Sequence, residues 1–536
     1  MGMEFEMVAK TFMGLEDVLA QELTALGANN VEKGCRVVTF TGDKAMLYKA
    51  NFALRTAVRV LKPIKHFTAS SADDVYEAVK TVDWSEYITE GKTFTVDSVV
   101  YSDTFSNSRF VTYKVKDAIV DQFREKTGKR PSISITDPDM RLNIHISGNE
   151  ATLALDSSGE SLHRRGYRQE TVEAPLNEVL AAGMILMTGW KGECDFIDPM
   201  CGSGTLPIEA ALIARNIAPG VFRKEYAFEK WADFDQELFD EIYNDDSEER
   251  EFTHHVYGYD ISVKAVDMAA NNVKAAGLTA DVTISQQDFK DFNGHSEKAI
   301  IVTNPPYGER ISTPDLLGTY KMIGERLKRA FKEGEAWVLS YREECFQQIG
   351  LKPSVKLPLY NGSLECEFRK YVLFDGKLSN FREEGGVVKT DMEKQFMAEK
   401  RRTWKRQDFE KKQEERIDNE EADILSFRFT SLEKQRRAEE KREFRGERRE
   451  RREFKGDKRE FRGDKREFKG DKREFRGDKR EFKGDKREFR GERREKRDGW
   501  KSSREGKYKK DGERETRADR QKMRRKMFGQ QHDDAE

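Results

Sequence analysis

Residues 299–307 read Ala299-Ile300-Ile301-Val302-Thr303-Asn304-Pro305-Pro306-Tyr307, an apolar run that ends in two consecutive prolines. An apolar run this short predicts a buried strand that stops abruptly at the edge of a sheet. Ligands in open α/β sheets bind at such carboxyl ends of strands. Because prolines stiffen the loop and lack an N–H donor, the Asn304 amide and a backbone carbonyl can be held pointing outward beside the Tyr307 ring. This arrangement suits a planar group that carries an NH2; a proline-rich turn around a packed tyrosine is the alternative.

The region around this segment alternates strand and helix patterns from residue 174 onward. Short apolar runs predict strands at 194–198, 256–259, 282–285 and 299–302. Apolar positions at helical spacing predict helices at 176–187, 206–214 and 262–276. Strands that alternate with helices of this length predict an α/β fold with a parallel, doubly wound sheet. The insertion at 220–251, which contains Trp231 and Phe234, is expected to be a surface excursion from this sheet.

A glycine-rich turn follows the strand predicted at 194–198. It reads Asp198-Pro199-Met200-Cys201-Gly202-Ser203-Gly204-Thr205 and leads into a helix, so its backbone can approach a ligand closely. The turn lacks the third glycine of the dinucleotide fingerprint and the Gly-Lys-Ser/Thr end of a phosphate-binding loop. Nicotinamide and nucleoside triphosphate ligands are therefore both disfavoured.

Two acidic residues, Asp260 and Asp288, follow the next two predicted strands. Asp260 is placed to accept hydrogen bonds from ribose hydroxyls, as an acid does in dinucleotide-binding folds. Asp288 could accept a hydrogen bond from an adenine amine. Either acid alone is more often an ordinary turn residue. In sheet order with Asp198 and Asn304, however, they predict one binding site for a ligand that contains a nucleoside.

The first 156 residues predict two α+β blocks. In the first block, strands at 5–10, 31–41 and 57–67 alternate with helices at 14–26 and 44–52, which suggests a ferredoxin-like unit. The second block has helices at 72–82 and 110–126 and strands at 93–101, 132–136, 141–147 and 151–156. It contains no convergent acid/base set, so it is either a binding module or a scaffold. The basic joint at 157–168 is expected to be a solvated linker, with an RNA-facing loop as the alternative.

Charge is distributed unevenly along the 536 residues. Residues 431–536 contain 42 basic and 28 acidic side chains, whereas residues 1–430 contain 56 and 71. After a charged, helical pattern at 400–441, Arg-Glu-Phe-(Lys/Arg)-Gly-(Asp/Glu)-(Lys/Arg) repeats every seven residues and places Phe454 and Phe461 in register. One apolar residue and one glycine per repeat predict disorder rather than a helical seam. The basic excess favours enhanced RNA affinity over a merely solubilising role.

The composition also argues against several other classes of protein. The five cysteines are widely spread and form no CxxC pair, which argues against a disulfide framework or a structural zinc. The start is acidic and lacks the apolar core of a signal peptide. No run approaches the roughly 18–20 apolar residues of a membrane span. A cytoplasmic setting without membrane contact is the simplest expectation.

The site residues resemble, in order, the motifs of class I S-adenosylmethionine (SAM)-dependent amino-methyltransferases. The matching elements are the 198–205 turn, Asp260, Asp288 and Asn304-Pro305-Pro306-Tyr307. The Asn-Pro-Pro-Tyr form belongs to enzymes that methylate exocyclic amines of bases. The resemblance therefore implies a SAM-dependent methylation of a base amine, without defining the base or the polymer.

Flanking segments more narrowly resemble the bacterial large-subunit rRNA guanine-N2 methyltransferases of the RlmL family. They are Leu155-Asp156-Ser157-Ser158-Gly159-Glu160-Ser161-Leu162-His163-Arg164-Arg165-Gly166-Tyr167-Arg168, Ala174-Pro175-Leu176-Asn177 and Leu359-Tyr360-Asn361-Gly362-Ser363-Leu364-Glu365-Cys366. The resemblance covers about residues 1–380. In some bacteria a second methyltransferase is fused behind the first, but the tail of this chain lacks such motifs.

This resemblance implies a domain order. A ferredoxin-like region at 1–44, continuing to about 66, precedes a THUMP RNA-binding domain at 45–156 and a linker at 157–173. A Rossmann-like methyltransferase domain then occupies 174–380, followed by the charged and then disordered low-complexity tail at 381–536. The implied partner is 23S rRNA or an assembly intermediate of the large ribosomal subunit.

The resemblance also implies roles for the site residues. The 198–205 turn, with Asp198, Gly202, Gly204 and Thr205, would hold the amino-acid end of SAM. Asp260 would bind its ribose and Asp288 its adenine. Asn304 and the Pro305 carbonyl would accept hydrogen bonds from the guanine N2 amine, and Tyr307 would stack on the base.

Three other functions remain open from the sequence. An adenine-N6 or cytosine-N4 DNA methyltransferase can share the Asn-Pro-Pro-Tyr motif. A tRNA guanine-N2 methyltransferase can share the THUMP domain, and only the 360–366 segment favours rRNA. A non-catalytic RNA-binding assembly factor with a relict cofactor fold is the alternative from a different class. The intact Asp198, Asp260, Asp288 and Asn304 argue against that last possibility.

Overall fold

The computed structural model describes residues 3–394 apart from residues 90, 106, 173, 296–297, 309–314, 332, 377, 384, 386 and 390–392. The helical pattern at 400–441 and the seven-residue repeats lie outside the described residues. The described chain contains two large sheets, one on each side of residue 160 in the sequence.

The first sheet joins both N-terminal blocks into one eight-stranded layer. Its spatial order is β2-β3-β1-β4-β8-β7-β5-β6. The strands are β1 Phe5–Lys10, β2 Asn29–Lys33, β3 Val37–Gly42, β4 Arg59–Thr68, β5 Thr93–Tyr101, β6 Ser132–Ile133, β7 Met140–Ser147 and β8 Glu150–Asp156. The helices are α1 Glu16–Ala25, α2 Lys44–Ala53, α3 Ala72–Lys80 and α4 Ser108–Thr127. The ferredoxin-like and THUMP blocks meet where β4 pairs with β8 in antiparallel register.

Local sequence explains where these helices begin and end. The Asp43 side chain accepts a hydrogen bond from Met46 N at 3.0 Å and starts α2, and Ser71 Oγ does the same for Asp74 N at 3.1 Å at the start of α3. Such capping bonds satisfy backbone donors that have no partner inside the helix. Helix α4 ends at Gly128, whose φ of 70° closes the helix in the left-handed region that glycine tolerates.

The single strand expected at 31–41 is wrong, because the structure forms a hairpin of β2 and β3 there. The chain reverses through residues 34–36, where Gly34 N donates to the Val37 carbonyl at 2.9 Å and Arg36 has a φ of 60°. β-branched residues on both sides of the turn made the pattern look continuous. The expected strand at 132–136 is likewise shortened to β6.

The second sheet confirms the predicted doubly wound α/β fold. Its order is β11-β10-β9-β12-β13-β15-β14, with neighbours from β11 to β13 parallel and the last two strands antiparallel. The strands are β9 Asp195–Asp198, β10 Val256–Asp260, β11 Val282–Gln286, β12 Ala299–Thr303, β13 Glu333–Ser340, β14 Val355–Asn361 and β15 Leu364–Phe374. The helices are α5 Glu178–Thr188, α6 Thr205–Ala214, α7 Gln236–Asn244, α8 Val263–Ala275, α9 Leu316–Ala330, α10 Glu343–Ile349 and α11 Leu378–Glu383.

The strand order creates the crevice in which ligands bind in such sheets. From β9 the chain proceeds to β10 on one side and later returns to β12 on the other side. Connections that leave in opposite directions open a gap at the carboxyl ends of the central strands. Helix α6, which is buried at all ten positions and is apolar except for Thr205 and Glu209, fills the space behind this gap.

The insertion at 220–251 is not the surface excursion expected from the sequence. Phe228 and Phe239 are 0% and 2% exposed, and the Phe228 ring stacks on Tyr48 of α2 with 4.5 Å between centroids. Aromatic pairs of this kind contribute about 0.5–1.5 kcal/mol each beyond the burial of their area. The insertion therefore attaches the second sheet to the N-terminal domain. The residues that the insertion contacts are far away in the sequence, so no local periodicity predicted the contact.

The joint at 157–168 is not the solvated linker expected from the sequence, because several of its side chains are buried. Arg165 is 2% and Tyr167 is 1% exposed. Arg165 donates to the Arg55 carbonyl in the N-terminal domain and to Glu209 of α6, and the Tyr167 hydroxyl donates to the same Glu209 carboxylate at 2.8 Å. Buried charges are stable only when they are paired in this way. The joint thus connects the two sheets through internal hydrogen bonds.

Candidate active site

A cavity of about 890 Å³ opens at the carboxyl ends of β9, β10 and β12. All of the predicted site residues except Gly204 line it: Asp198, Gly202, Thr205, Asp260, Asp288, Asn304, Pro305 and Tyr307. These separate segments therefore line one cavity, while the roles of the individual residues remain predictions.

The glycine turn is held open by the carboxylate of Asp260. Gly202 N donates to Asp260 Oδ2 at 3.0 Å, and Ser262 N donates to Oδ1 at 2.8 Å. Gly202 has a φ of 55°, in the left-handed region. The carboxylate thus fixes the turn and retains lone pairs for a ligand, since each oxygen can accept more than one hydrogen bond.

Gly204 has a packing role instead of lining the cavity. Its φ is 83°, and a Cβ added there would lie 3.1 Å from the Ala269 Cβ of α8. Both features exclude a side chain at this position. Gly204 therefore allows α6 and α8 to approach each other directly behind the turn.

Asp198 is almost fully enclosed, at 1% exposed. Its carboxylate accepts a hydrogen bond from Met200 N at 3.2 Å. Burial raises the pKa of the Asp198 carboxyl to about 7, and the nearby Asp260 carboxylate adds to the rise. A cationic group that enters the cavity would favour the ionised form of this acid.

Asp288 differs from Asp198 because it is ionised at neutral pH. It precedes a short 3-10 helix, Phe289–Asp291, and accepts hydrogen bonds from Lys290 N at 3.0 Å and Lys290 Nζ at 2.7 Å. Burial acts to raise the pKa of Asp288, but these two bonds outweigh it and hold the pKa below its ordinary value. The cavity therefore contains a carboxylate acceptor at the β11 end.

Asn304 presents a buried acceptor that receives no hydrogen bond from the described residues. Strand β12 is buried throughout and stops at Thr303, because Pro305 and Pro306 cannot continue the ladder. Among the residues that the structure describes, none donates a hydrogen bond to Asn304 Oδ1, although this atom is buried. A buried acceptor without a donor costs about 1–3 kcal/mol, so a ligand N–H at this point would be favoured.

Tyr307 is held in place by two residues from other elements. Its hydroxyl accepts a hydrogen bond from Asn361 Nδ2 at the end of β14, and its ring meets Tyr341 edge-on with centroids 5.5 Å apart. Asn361 itself lines the cavity. Sequence reasoning missed its role, although it lies within the 359–366 segment that carried the family resemblance.

Three further residues that the sequence did not single out shape the site. Ile261 lines the cavity with 64% of its surface exposed, which offers an apolar face beside Asp260. Arg168 donates to the Thr205 hydroxyl at 2.9 Å, so this hydroxyl is already engaged by the chain. Asn272 of α8 donates to the Ser203 carbonyl at 3.0 Å. No sequence signal marked Asn272 as a neighbour of the turn, whereas Arg168 ends the 155–168 segment that carried the family resemblance.

The described segments contain neither a membrane-spanning helix nor a cluster of metal-binding side chains. None of their helices is long and apolar enough to cross a membrane. They also contain no group of three or more His, Cys, Asp or Glu side chains that could hold a metal ion.

Family models match three consecutive parts of the chain. A RlmL ferredoxin-like domain matches residues 6–61, a THUMP domain matches 69–156, and an RMKL-like methyltransferase domain matches 165–370. These models bear out the predicted order of domain types, while the boundaries drawn from the sequence remain predictions.

Individual relatives agree with these models. A Synechocystis sp. protein classed as an RNA methyltransferase is 38% identical over 67% of this chain and 95% of its own length. The ribosomal RNA large subunit methyltransferase K/L of Syntrophotalea carbinolica is 40% identical over 67% of this chain and 52% of its own length. This chain spans about half the length of the K/L relatives that it matches.

Solved structures have the same architecture. One protein classed as a methyltransferase, complexed with SAH, is 30% identical with a TM-score of 0.63 and is covered over its full length by 70% of this chain. Another, classed as an N6-adenine-specific DNA methylase from Listeria monocytogenes, is 31% identical with a TM-score of 0.63, over 69% of this chain and 96% of its own. With the three domain types in order and a relative covered almost completely, the chain belongs to the family of RMKL-like methyltransferases that carry RlmL ferredoxin-like and THUMP domains.

Proposed function

We propose that this chain transfers the methyl group of SAM to the exocyclic N2 amine of a guanine in 23S rRNA. The observation that carries the proposal is the buried Asn304 Oδ1, which lacks a donor among the described residues and lines one cavity with three strand-end aspartates. The names of the K/L relatives support ribosomal RNA as the polymer. The choice of guanine N2 follows from the resemblance of the flanking segments.

The residues on one side of the cavity suit SAM. SAH, which is SAM without its methyl group, occupies a related structure of the same fold. Asp260 has acceptor capacity left for ribose hydroxyls, and Asp288 is an ionised acceptor for the adenine amine. The exposed face of Ile261 offers apolar contact to a planar ring. The Asp198 and Gly202 end of the turn is left for the ammonium and carboxylate groups of the amino acid.

Asn304 and Pro305 orient the base amine. SAM, when bound, would supply an electrophilic methyl carbon that an amine nitrogen attacks in line, with cleavage of the S–CH3 bond and SAH as the leaving group. In our proposal, Asn304 Oδ1 and the Pro305 carbonyl accept the two N–H groups of guanine N2 and thereby direct its lone pair into the cavity. A methylated amine loses its extra proton readily to water, so positioning, rather than a general base, is the main contribution of the chain.

Tyr307 provides the face on which the base would stack. A target base has to leave its helix before an enclosed active site can reach its amine. The hydrogen bond from Asn361 and the contact with Tyr341 fix the Tyr307 ring before the base arrives. A pre-positioned ring lowers the ordering cost of binding the unstacked base.

The THUMP domain offers a surface that suits RNA. Helix α4 exposes Phe110 and Tyr113, which are 51% and 55% exposed, and Lys116 Nζ lies 4.9 Å from the Tyr113 ring centroid. Aromatic rings beside basic groups stack on unpaired bases and neutralise phosphates. This surface supports RNA, rather than a free nucleotide, as the substrate.

Nucleoside analysis after methyl transfer tests the proposal. The full chain would be incubated with isotopically labelled SAM and rRNA from a strain that lacks the corresponding gene, with tRNA from the same strain in parallel. Labelled N2-methylguanosine in 23S rRNA is expected. Labelled N6-methyladenosine instead would show that the target base is adenine rather than guanine. Label in tRNA alone would show that the substrate is tRNA rather than rRNA. No label with any of these substrates would refute methyl transfer.

A further inference from the structure

Arg168 lies behind the glycine turn, at the end of the buried joint. Its guanidinium donates four hydrogen bonds: Nε to the Glu178 carboxylate at 2.8 Å, Nη1 to the Ser203 hydroxyl at 3.2 Å, and Nη2 to the Thr205 hydroxyl at 2.9 Å and the Leu176 carbonyl at 3.1 Å. The side chain is 18% exposed and its partner Glu178 is 8% exposed. The guanidinium charge of Arg168 is therefore paired with the Glu178 carboxylate in a partly desolvated position.

These acceptors belong to two different walls of the cavity. Ser203 and Thr205 lie on the glycine turn, whereas Leu176 lies on the segment that enters α5, and all three line the cavity. Arg168 itself does not line it. A single rigid group therefore bonds to both walls from behind. The distance between the walls depends on this group.

Arginine is the side chain suited to this task. Its planar guanidinium presents five N–H donors in a fixed fork, and four of them are used here. A lysine ammonium has three donors that diverge from one point on a flexible stem, so it cannot reach all of these acceptors in one orientation.

We propose that Arg168 is a positioning residue that sets the spacing between these two walls and thereby determines affinity for the amino-acid end of the methyl donor. The inference rests on the proposed function, because that function assigns the amino-acid end of SAM to the 198–205 turn. Arg168 donates to neither Asp260 nor Asp288, which hold the nucleoside end in the same proposal. Its removal should therefore affect one end of the donor and not the other.

Calorimetry with two ligands tests this selectivity on the full chain. SAH contains both ends of the donor, whereas 5′-methylthioadenosine contains only the nucleoside end. In Arg168→Gln, we expect SAH affinity to fall at least tenfold while methylthioadenosine affinity stays within twofold. Arg168→Lys, which keeps the charge opposite Glu178, should recover part of the SAH affinity. In turnover assays the KM for SAM should rise while kcat at saturating SAM stays within twofold.

The matched control is Arg164→Gln, four residues earlier on the same joint. Arg164 is 66% exposed and pairs with Glu160 on the surface, so its loss should change neither affinity. Equal weakening of both ligands in Arg168→Gln would indicate general damage and overturn the inference, as would unchanged SAH binding. If that variant fails to fold, Glu178→Gln decides: a selective loss of SAH affinity of at least twofold supports the inference, and no change overturns it. Failure of the wild-type chain to bind SAH would instead refute the proposed function.

Discussion

The two sides of the cavity differ in how completely the protein satisfies its own polar groups. On the glycine-turn side, Asp260, Arg168 and Asn272 bind the backbone and hydroxyl groups of residues 202–205. On the Asn304 side, a buried amide oxygen has no donor in the described part of the chain. The turn is thus held in place by hydrogen bonds within the chain, whereas the Asn304 side has a buried acceptor for a ligand.

The turn side therefore defines the shape of the cavity, whereas the Asn304 side recognises a ligand group. A turn held by several internal hydrogen bonds keeps its form before a ligand binds, which reduces the cost of ordering it. An unsatisfied buried acceptor, in contrast, gains its full hydrogen bond only when an N–H group arrives. We therefore expect changes on the turn side to alter donor affinity and changes on the Asn304 side to alter turnover.

The largest effect is expected from Asn304→Ala. Removal of one pre-positioned hydrogen-bonding group at a reacting centre typically costs about 10²–10³ in rate. Methyl transfer to rRNA under saturating SAM should fall by this factor, while SAH affinity measured by calorimetry should stay within twofold. Turnover equal to wild type would remove Asn304 from the mechanism. If SAH affinity fell by a similar factor, Asn304 would act on donor binding as well, and the proposed difference between the two sides of the cavity would be wrong.

Asp260→Ala should have the next largest effect, on donor affinity. The variant loses the acceptor of Gly202 N and the proposed acceptor of the ribose hydroxyls. Hydrogen bonds to a charged group contribute about 1.5–3 kcal/mol, so SAH affinity should fall about 10- to 100-fold. Asp267→Ala, on the following helix and outside the cavity lining, serves as the control. Unchanged SAH affinity in Asp260→Ala would contradict the assignment.

The pKa of Asp198 predicts a pH dependence on the turn side. Because burial raises this pKa to about 7, the carboxyl is mostly protonated at pH 6 and mostly ionised at pH 8. The ammonium group of SAH stabilises the ionised form, so affinity should increase with pH by up to about tenfold over this interval. Calorimetry of SAH binding between pH 6 and pH 8 measures this change in affinity. In Asp198→Asn the profile should be flat, and a wild-type profile that is flat as well would exclude the linkage.

The smallest effect is expected from Asn361→Ala, on the Asn304 side. Loss of the hydrogen bond to the Tyr307 hydroxyl frees the ring but leaves it beside Tyr341. A single hydrogen bond contributes about 0.5–1.5 kcal/mol, so kcat should fall about three- to tenfold without a change in SAH affinity. Tyr307→Phe removes the same bond from its other end and should have a similar effect. If neither variant changes kcat, the ring orientation does not limit turnover.

Much of the fold followed from local patterns. β1 and β5 have the bounds that their alternating residues predicted, and most helices begin and end within a few residues of the expected positions. The strand-end residues 198, 260, 288 and 304 converge because parallel strands place their carboxyl ends at one edge of a sheet. The hairpin at 34–36 was missed because its turn interrupts a β-branched run that looked continuous.

The sequence alone therefore determined the positions of many strands and that residues 198, 260, 288 and 304 meet at the cavity, since both depend on short-range periodicity and on the geometry of parallel sheets. Only the tertiary structure decided that β4 pairs with β8, that Tyr48 stacks on Phe228, and that Arg168 bonds to both walls of the cavity. Most of these contacts join residues far apart in the chain, so no local pattern specifies them. The buried oxygen of Asn304, which has no donor among the described residues, belongs to the same class, because its environment results from the packing of its neighbours and not from the motif itself.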